Sequence, residues 1–345
     1  MSGFGPPPGP PEQAPRARAS YLAPGRSTMD ASARRRYAVS VSARPGIVPL
    51  SPIGAGDIID GAIKHVRRNP GPVLGAGAIA VAAAVIPAIL VSSLVFAGTW
   101  RRSTGVSTVV NDVALSAGVA GLGIGLSLLA LGGILGPAVL DAVLGHRVTS
   151  DELWSRVRRR VVPLVAGQVL VGLIVVAPIA LVLAVVVAMA QNTGVAAAFA
   201  AILLFPVGGV LSCWASGRML FTAPAQVLEG VSIVGGLRRA WALTRGRFWR
   251  VFATQVSIGL LAFIVFWFVE ITLYFVGRLL LAMLELDPRS AESATSLLFT
   301  LAMLGAGALV APVVASSSVL LYIDARIRAE GFDLDLRRQA AGATP

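Results

Sequence analysis

The feature that most constrains this chain is a series of long apolar runs that contain no charged residue. A helix crosses about 30 Å of hydrocarbon with about 20 apolar residues, because the helix satisfies its own backbone hydrogen bonds. Six runs have about this length, at approximately 73–97, 113–140, 161–190, 195–214, 251–276 and 296–321. The sequence therefore predicts an all-α integral membrane protein with about six transmembrane helices.

The composition excludes the other broad classes of protein. The 345 residues are 56% hydrophobic and 13% charged, whereas an ordinary soluble domain is about 25% charged. A single cysteine excludes an internal disulfide and a thiolate metal cage. The net charge of +12 would suggest nucleic acid in a soluble protein, but here the basic residues lie in short segments between apolar runs. We therefore expect anionic lipid headgroups as partners, and no nucleic acid.

The chain divides into three regions of different composition. Residues 1–48 are rich in proline and arginine and contain little apolar surface to bury, which predicts a disordered cytoplasmic tail. Residues 49–338 form the predicted helical membrane domain, and residues 339–345 a disordered C-terminus.

The basic residues are distributed asymmetrically among the loops. Of 29 lysines and arginines, 25 lie on one side of the six-span model, and the side with the excess is normally cytoplasmic. The break at 191–194 is interpreted as a tight external turn, since fusing the spans on either side would disturb this pattern. We expect a bacterial plasma-membrane protein with both termini in the cytoplasm.

Short basic segments with helical apolar spacing precede the first, third and fifth spans. In the first, Ile58 and Ala62 share one face, while charged residues occupy the other. The second begins with Thr149 and Glu152 at the spacing of a capping box. The segments before the first and third spans align at an offset of 91 residues, which suggests three units, each an interfacial helix followed by two spans. Recurrent basic residues could also produce this similarity by chance.

These segments supply the candidate lipid or partner contacts. Arginine attracts anionic headgroups, and tryptophan is typical of the membrane interface. Simple membrane anchoring is the alternative interpretation. The candidates are Arg67, Arg68, Arg158, Arg159, Glu229, Arg238, Arg239, Trp241, Arg247 and Trp249.

Small residues and prolines recur within the spans. Two pairs of glycines at a spacing of four, 121 with 125 and 132 with 136, favour close helix packing in lipid. Five of the six spans contain a proline, which removes a backbone donor and can kink a helix.

Few residues suggest chemistry inside the membrane. Glu270 is the one clear intramembrane acid, and its distance from Arg250 indicates either an interface carboxylate near the outer surface or a proton or substrate site. Asp141 is expected to pair with Arg147, and Cys213 to be a small core hydrophobe.

We identify no catalytic, cofactor-binding or metal-binding residues. His65 and His146 lie in unrelated contexts, with no carboxylate or cysteine at a metal-ligand spacing. Neither a Walker sequence nor a Ser-His-Asp constellation is visible.

Three cytoplasmic segments carry a family resemblance. The entry segment, 49–70, contains PLSP, GDIIDGA and RRNP. The central segment, 224–250, contains PAQVLEG, RRAWALT and FWR, and the closing segment, 321–334, is LYIDARIRAEGFDL. They resemble an actinobacterial family of multi-pass proteins, which is similar to the membrane domain fused to some glycerophosphoryl diester phosphodiesterases. The phosphodiesterase domain itself, with its His-Arg-Gly start, is absent, so the resemblance implies the membrane architecture and not the hydrolase activity.

The sequence leaves three functional hypotheses. The first is a non-catalytic plasma-membrane protein that acts as a scaffold or associates with lipid, and for which a protein partner is also a candidate. The alternative is a transporter or flippase for a lipid or a glycerophosphodiester-like anion. The third, an enzyme at the cytoplasmic interface, would require Glu229, Asp324 and Glu330 to converge in space.

Overall fold

The computed structural model describes residues 46–99, 125, 127–190, 194–284 and 287–342, and within these ranges the regular structure is entirely helical. A 3-10 turn, Arg158–Arg160, joins the helix Ser150–Val157 to the helix Val161–Ala190. The helices are α1 (Ala55–Arg68), α2 (Pro70–Thr99), α3 (Ser127–Val143), α4 (Ser150–Val157), α5 (Val161–Ala190), α6 (Gly194–Met219), α7 (Thr222–Leu228), α8 (Ile233–Thr244), α9 (Phe248–Ala282), α10 (Pro288–Glu330) and α11 (Asp333–Gly342).

Five of these helices are long and apolar enough to cross a membrane, namely α2, α5, α6, α9 and α10. They coincide with five of the six predicted spans. The remaining predicted span, 113–140, corresponds to α3, of which 17 residues are described. Residues 113–124 and 126 lie outside the described ranges. The prediction of an all-α multi-pass membrane architecture is confirmed. The predicted tail at 1–48 lies almost wholly outside the described residues.

The spans pack as neighbours in sequence and across the bundle. Helix α5 packs against α6, and α9 against α10. The predicted turn at 191–194 lies, except for residue 194, outside the described residues. Helix α10 also packs against α2. A Cβ added at Gly77 of α2 would lie 2.3 Å from Pro312 Cγ of α10, so the two backbones approach closely because residue 77 has no side chain.

Each of the three predicted interfacial helices is present, as α1, α4 and α8. The capping box of α4 is confirmed, since Glu152 N donates to Thr149 Oγ1 at 3.3 Å and Thr149 N donates to Glu152 Oε2 at 3.0 Å. Helix α1 buries Ile58 and Ala62 and packs against α10, so its apolar face contacts protein instead of lipid.

Two sequence-based expectations are wrong. Asp141 pairs with Arg156, which the helical turn of α4 brings closer than Arg147. Cys213 is exposed on α6 and is not a core residue. The segment between α6 and α8 also contains α7, which was not predicted, and its neighbour Phe221 is fully buried. The Arg160 guanidinium donates to the carbonyl oxygens of Gln226 and Val227 at the end of α7, at 3.1 and 2.9 Å.

Candidate functional site

The basic segments gather at one end of the helical bundle, which we call the basic end. It comprises α1, α4, α7 and α8, the C-terminal ends of α6 and α10, and the N-terminal end of α9. Contacts join α10 to α1 and α8, and α5 to α7. The sequence predicts this end to be cytoplasmic.

A first ionic network joins the central segment to the closing segment. Glu229 accepts two hydrogen bonds from Arg239 Nε, at 3.0 and 2.8 Å, and a further one from the Tyr322 hydroxyl. Arg239 also pairs with Glu330, and Arg326 lies 3.1 Å from Glu330 and 3.4 Å from Glu229. Partial burial lowers the pKa of Arg239, but its hydrogen bonds to the two carboxylates outweigh this effect and raise it. Each carboxylate in this network is therefore neutralised by arginine.

A second network joins the entry segment to the closing segment. Asp324, which is 2% exposed, accepts hydrogen bonds from Ile53 N and from Arg328 Nε, each at 2.9 Å. The Ile53 carbonyl oxygen accepts from Arg328 at 3.1 Å and from Arg250 at 3.2 Å. Both backbone groups of the buried Ile53 are thus satisfied by side chains of α9 and α10.

These two networks explain why the three motif-bearing segments belong together. They are far apart in the chain but are joined around the end of α10, the central segment by ion pairs and the entry segment by hydrogen bonds to the Ile53 backbone. The convergence required by the enzyme hypothesis is only partial, since Glu229 and Glu330 meet whereas Asp324 pairs separately with Arg328 and Arg250. In the described ranges, no group of three His, Cys, Asp or Glu side chains could hold a metal ion.

Beside the second network lies an open cleft of about 820 Å³, which we call the arginine cleft. It is formed by the last turns of α6, the start of α9 and the end of α10. Four arginines and three aromatic residues dominate its lining. The lining residues are Trp214, Arg218, Gly246, Arg247, Phe248, Trp249, Arg250 and Arg328.

Aromatic rings hold Arg218 at the edge of this cleft. Its guanidinium carbon lies 4.9 Å from the ring centres of Trp241 and Phe248 and 5.6 Å from that of Trp214. Such contacts favour a cation over the ring faces without neutralising its charge. The Nε atom of Arg218 is buried and has no hydrogen-bond partner among the described residues.

The structure separates the predicted contact residues into three groups. Glu229 and Arg239 lie inside the first network, and Arg68 donates to the Gly145 carbonyl oxygen, so these three hold the fold together. Arg247 and Trp249 line the arginine cleft, and Trp241 packs behind it. The remaining candidates are exposed and form no ion pair with described residues: Arg67, Arg158, Arg159 and Arg238.

Sequence reasoning did not single out Arg218, Arg250 or Arg328 as contact residues. Arg218 follows a long apolar run, where one basic residue has the pattern of an ordinary topology signal. Arg218 lines the arginine cleft only because the folded chain places α9 and α10 beside it. The Arg-Phe-Trp-Arg sequence at 247–250 was the available signal, since it combines basic and aromatic residues.

Glu270 occupies a different part of the molecule. It is 3% exposed on α9, and the described residues offer it no hydrogen bond or ion pair. Helix α9 continues twelve residues beyond it, to Ala282. Phe266 and Trp267, one turn earlier, line an apolar cavity of about 380 Å³ among α2, α3, α9 and α10.

The fold and the basic end together define the class of this chain, an all-α multi-pass membrane protein with three segments joined by ion pairs and hydrogen bonds at one end. The model of the family described as domain of unknown function DUF7847 matches residues 53–325, and the chain belongs to this family. The matched range runs from the entry segment into the closing segment, including Ile53 and Asp324. No curated protein and no solved structure matches the chain.

Proposed function

We propose that the protein is a non-catalytic, lipid-associated membrane protein whose basic end binds anionic lipid headgroups. The observation that carries this proposal is that some arginines are paired with carboxylates whereas others are exposed and form no ion pair with described residues. Glu229, Asp324 and Glu330 are occupied within the two ionic networks, whereas Arg67, Arg158, Arg159 and Arg238 remain exposed. A basic surface near the membrane attracts anionic lipid by about 1 kcal/mol per arginine.

Exposed tryptophans support a position of the basic end at the membrane–water interface. Trp154 on α4 is 60% exposed and Trp249 at the start of α9 is 76% exposed. Tryptophan is enriched at membrane–water interfaces because its ring is apolar and its N–H is polar. The resemblance to the membrane domain of glycerophosphoryl diester phosphodiesterases also favours a role beside phospholipids, since a glycerophosphodiester is the polar part of a phospholipid.

The experiment is extraction of the full chain into lipid-retaining nanodiscs, followed by mass spectrometry of the lipids. Anionic lipid should be enriched over bulk membrane, and replacing Arg67, Arg158, Arg159 and Arg238 by glutamine should reduce that enrichment. A matched control variant replaces Arg101, Arg102, Arg278 and Arg289, the four arginines on the opposite side of the span model. Bulk-like lipid with a stoichiometric protein partner would make the protein a scaffold and contradict lipid association.

A transporter is the second candidate, and the burial of Glu270 favours it. An ionisable group buried within a membrane span is expensive and is usually retained for function. The nearby apolar cavity would provide room for an alkyl chain beside the acid. Lipid flipping or uptake of glycerophosphodiester in proteoliposomes that is abolished by Glu270→Gln would support transport through this site. Absence of both activities would exclude transport, and activity that is insensitive to Glu270→Gln would exclude Glu270 as its site.

A further inference from the structure

The arginine cleft has an unbalanced positive charge. Its four guanidinium groups face one carboxylate, that of Asp324, which binds Arg328 at 2.9 Å and lies 3.7 Å from Arg250. Arg218 and Arg247 form no ion pair within the described ranges. The cleft therefore has room and charge for an anionic group that the chain itself does not supply.

The positions of these arginines are set by other contacts. Arg247 donates to the Arg328 carbonyl oxygen at 2.8 Å, which leaves its remaining guanidinium donors available. The three aromatic rings orient the Arg218 guanidinium, and one of its nitrogens lies 3.5 Å from Thr244 Oγ1. Donors that are already ordered lose less conformational entropy when a ligand binds.

The backbone at the start of α9 adds further donors. Arg247 is the N-cap residue of this 35-residue helix, and no side chain caps the first N–H groups. Gly246 adopts a left-handed conformation with φ of 77°, and no atom lies within 4 Å of a Cβ placed there, so the approach to the helix start is open. Helix N-termini stabilise anions through these N–H groups and the helix dipole.

From this arrangement we infer that the arginine cleft is a binding site for a phosphate group, carried either by a lipid headgroup or by a soluble phosphate ester. A phosphate dianion has three terminal oxygens and can accept from several guanidinium groups at once, whereas a carboxylate has only two oxygens. The inference rests on the proposed function, because it narrows general anionic attraction to one saturable site. Trp214 and Trp249 at the rim are 41% and 76% exposed, which favours a headgroup at the membrane interface as the source.

The test uses the delipidated full-length protein in detergent, with tryptophan fluorescence as the readout. The probes are dioleoyl phosphatidic acid, dioleoylglycerol with the same chains and no phosphate, glycerol 3-phosphate, and a poly-glutamate peptide. We expect saturable binding of phosphatidic acid and none of dioleoylglycerol. Binding of glycerol 3-phosphate at similar affinity would identify a soluble phosphate ester as the source, and its absence would identify the lipid.

The variants separate the cleft from the surrounding basic surface. Arg218→Gln with Arg247→Gln should weaken phosphate binding at least about tenfold, since it removes two charged donors whose hydrogen bonds to phosphate are stronger than neutral ones. Arg158→Gln with Arg159→Gln removes the same charge from the exposed basic surface, which itself attracts anionic lipid, and should weaken binding several-fold less than the cleft variant does. Arg250→Gln provides a second cleft variant if the double variant fails to fold, because the Arg250 side chain is 48% exposed; a loss of at least threefold is expected.

Three outcomes would overturn this inference. Equal weakening by cleft and control variants would show attraction to general positive charge, which leaves the proposed function intact and removes the discrete site. Poly-glutamate that binds as tightly as phosphatidic acid would assign the cleft to an acidic protein partner. If the wild-type protein binds no phosphate probe and yet enriches anionic lipid in nanodiscs, the cleft is excluded as a phosphate site and the proposed function stands. If it binds no phosphate probe and its nanodiscs contain bulk-like lipid, both the phosphate site and the proposed function are excluded.

Discussion

Replacing Asp324 should weaken the fold more than replacing any exposed carboxylate of the chain. The Asp324→Ala variant would remove the acceptor of the buried Ile53 N–H and the partner of the Arg328 guanidinium. Leaving a buried charge unpaired costs about 3–5 kcal/mol, and an orphaned buried N–H costs about 1–3 kcal/mol. The Arg328 side chain is 24% exposed, so water relieves part of this cost. We expect a net loss of about 3 kcal/mol, and a smaller loss for Asp324→Asn because the amide oxygen can still accept from Ile53.

The assay is thermal unfolding in nanodiscs, followed by the fluorescence of the six tryptophans. For a chain of 345 residues, a loss of about 3 kcal/mol corresponds to a fall in Tm of about 4 °C. Asp60→Asn is the matched control, since Asp60 pairs with Lys64 on an exposed face of α1, and it should cost less than about 0.5 kcal/mol.

A double variant examines the physical reason for the loss. Asp324→Ala combined with Arg328→Met removes both charges, so it should be more stable than Asp324→Ala alone. The reasoning would be refuted if Asp324→Ala cost no more than Asp60→Asn, or if the double variant lost the sum of the two single losses.

Two further predictions concern stability. Burial lowers the pKa of His65 from 6.5 to about 4. The stability that accompanies its neutral form is therefore fully present above pH 6.5 and is lost as the pH falls towards 4, by about 2 kcal/mol at pH 5. His65→Leu should flatten the dependence of Tm on pH in this window. Gly77→Ala should cost about 1–3 kcal/mol by forcing α2 away from Pro312, whereas Gly75→Ala, with nothing within 4 Å of its Cβ, should be neutral in the same thermal assay.

The spans could be predicted because hydrocarbon imposes a length and an apolar composition that are local properties of the chain. The predicted range 161–190 coincides with α5, and the capping box of α4 needed only residues three apart. Helix ends were less predictable, since α10 continues nine residues past the predicted span, where its polar side chains pair with α8 and with the entry segment.

The candidate site was predictable only in part. Arg247 and Trp249 were selected because basic and aromatic residues alternate there. Glu229 and Arg239 were selected as surface contacts, but the structure places them in an internal ion pair. Charge alone does not reveal whether a polar side chain in a membrane protein faces water, lipid or another charge.

The all-α membrane architecture and the segregation of basic residues into a few short segments can be inferred from the sequence, because both follow from the solvent that each stretch of chain meets. Which charges cancel and which remain available depends on how these segments fold together. The hydrogen bond from Ile53 to Asp324 joins residues 271 positions apart, and the one from Tyr322 to Glu229 joins residues 93 apart. Electrostatic attraction depends on distance in space, so the arginine cleft exists only once these segments have folded together.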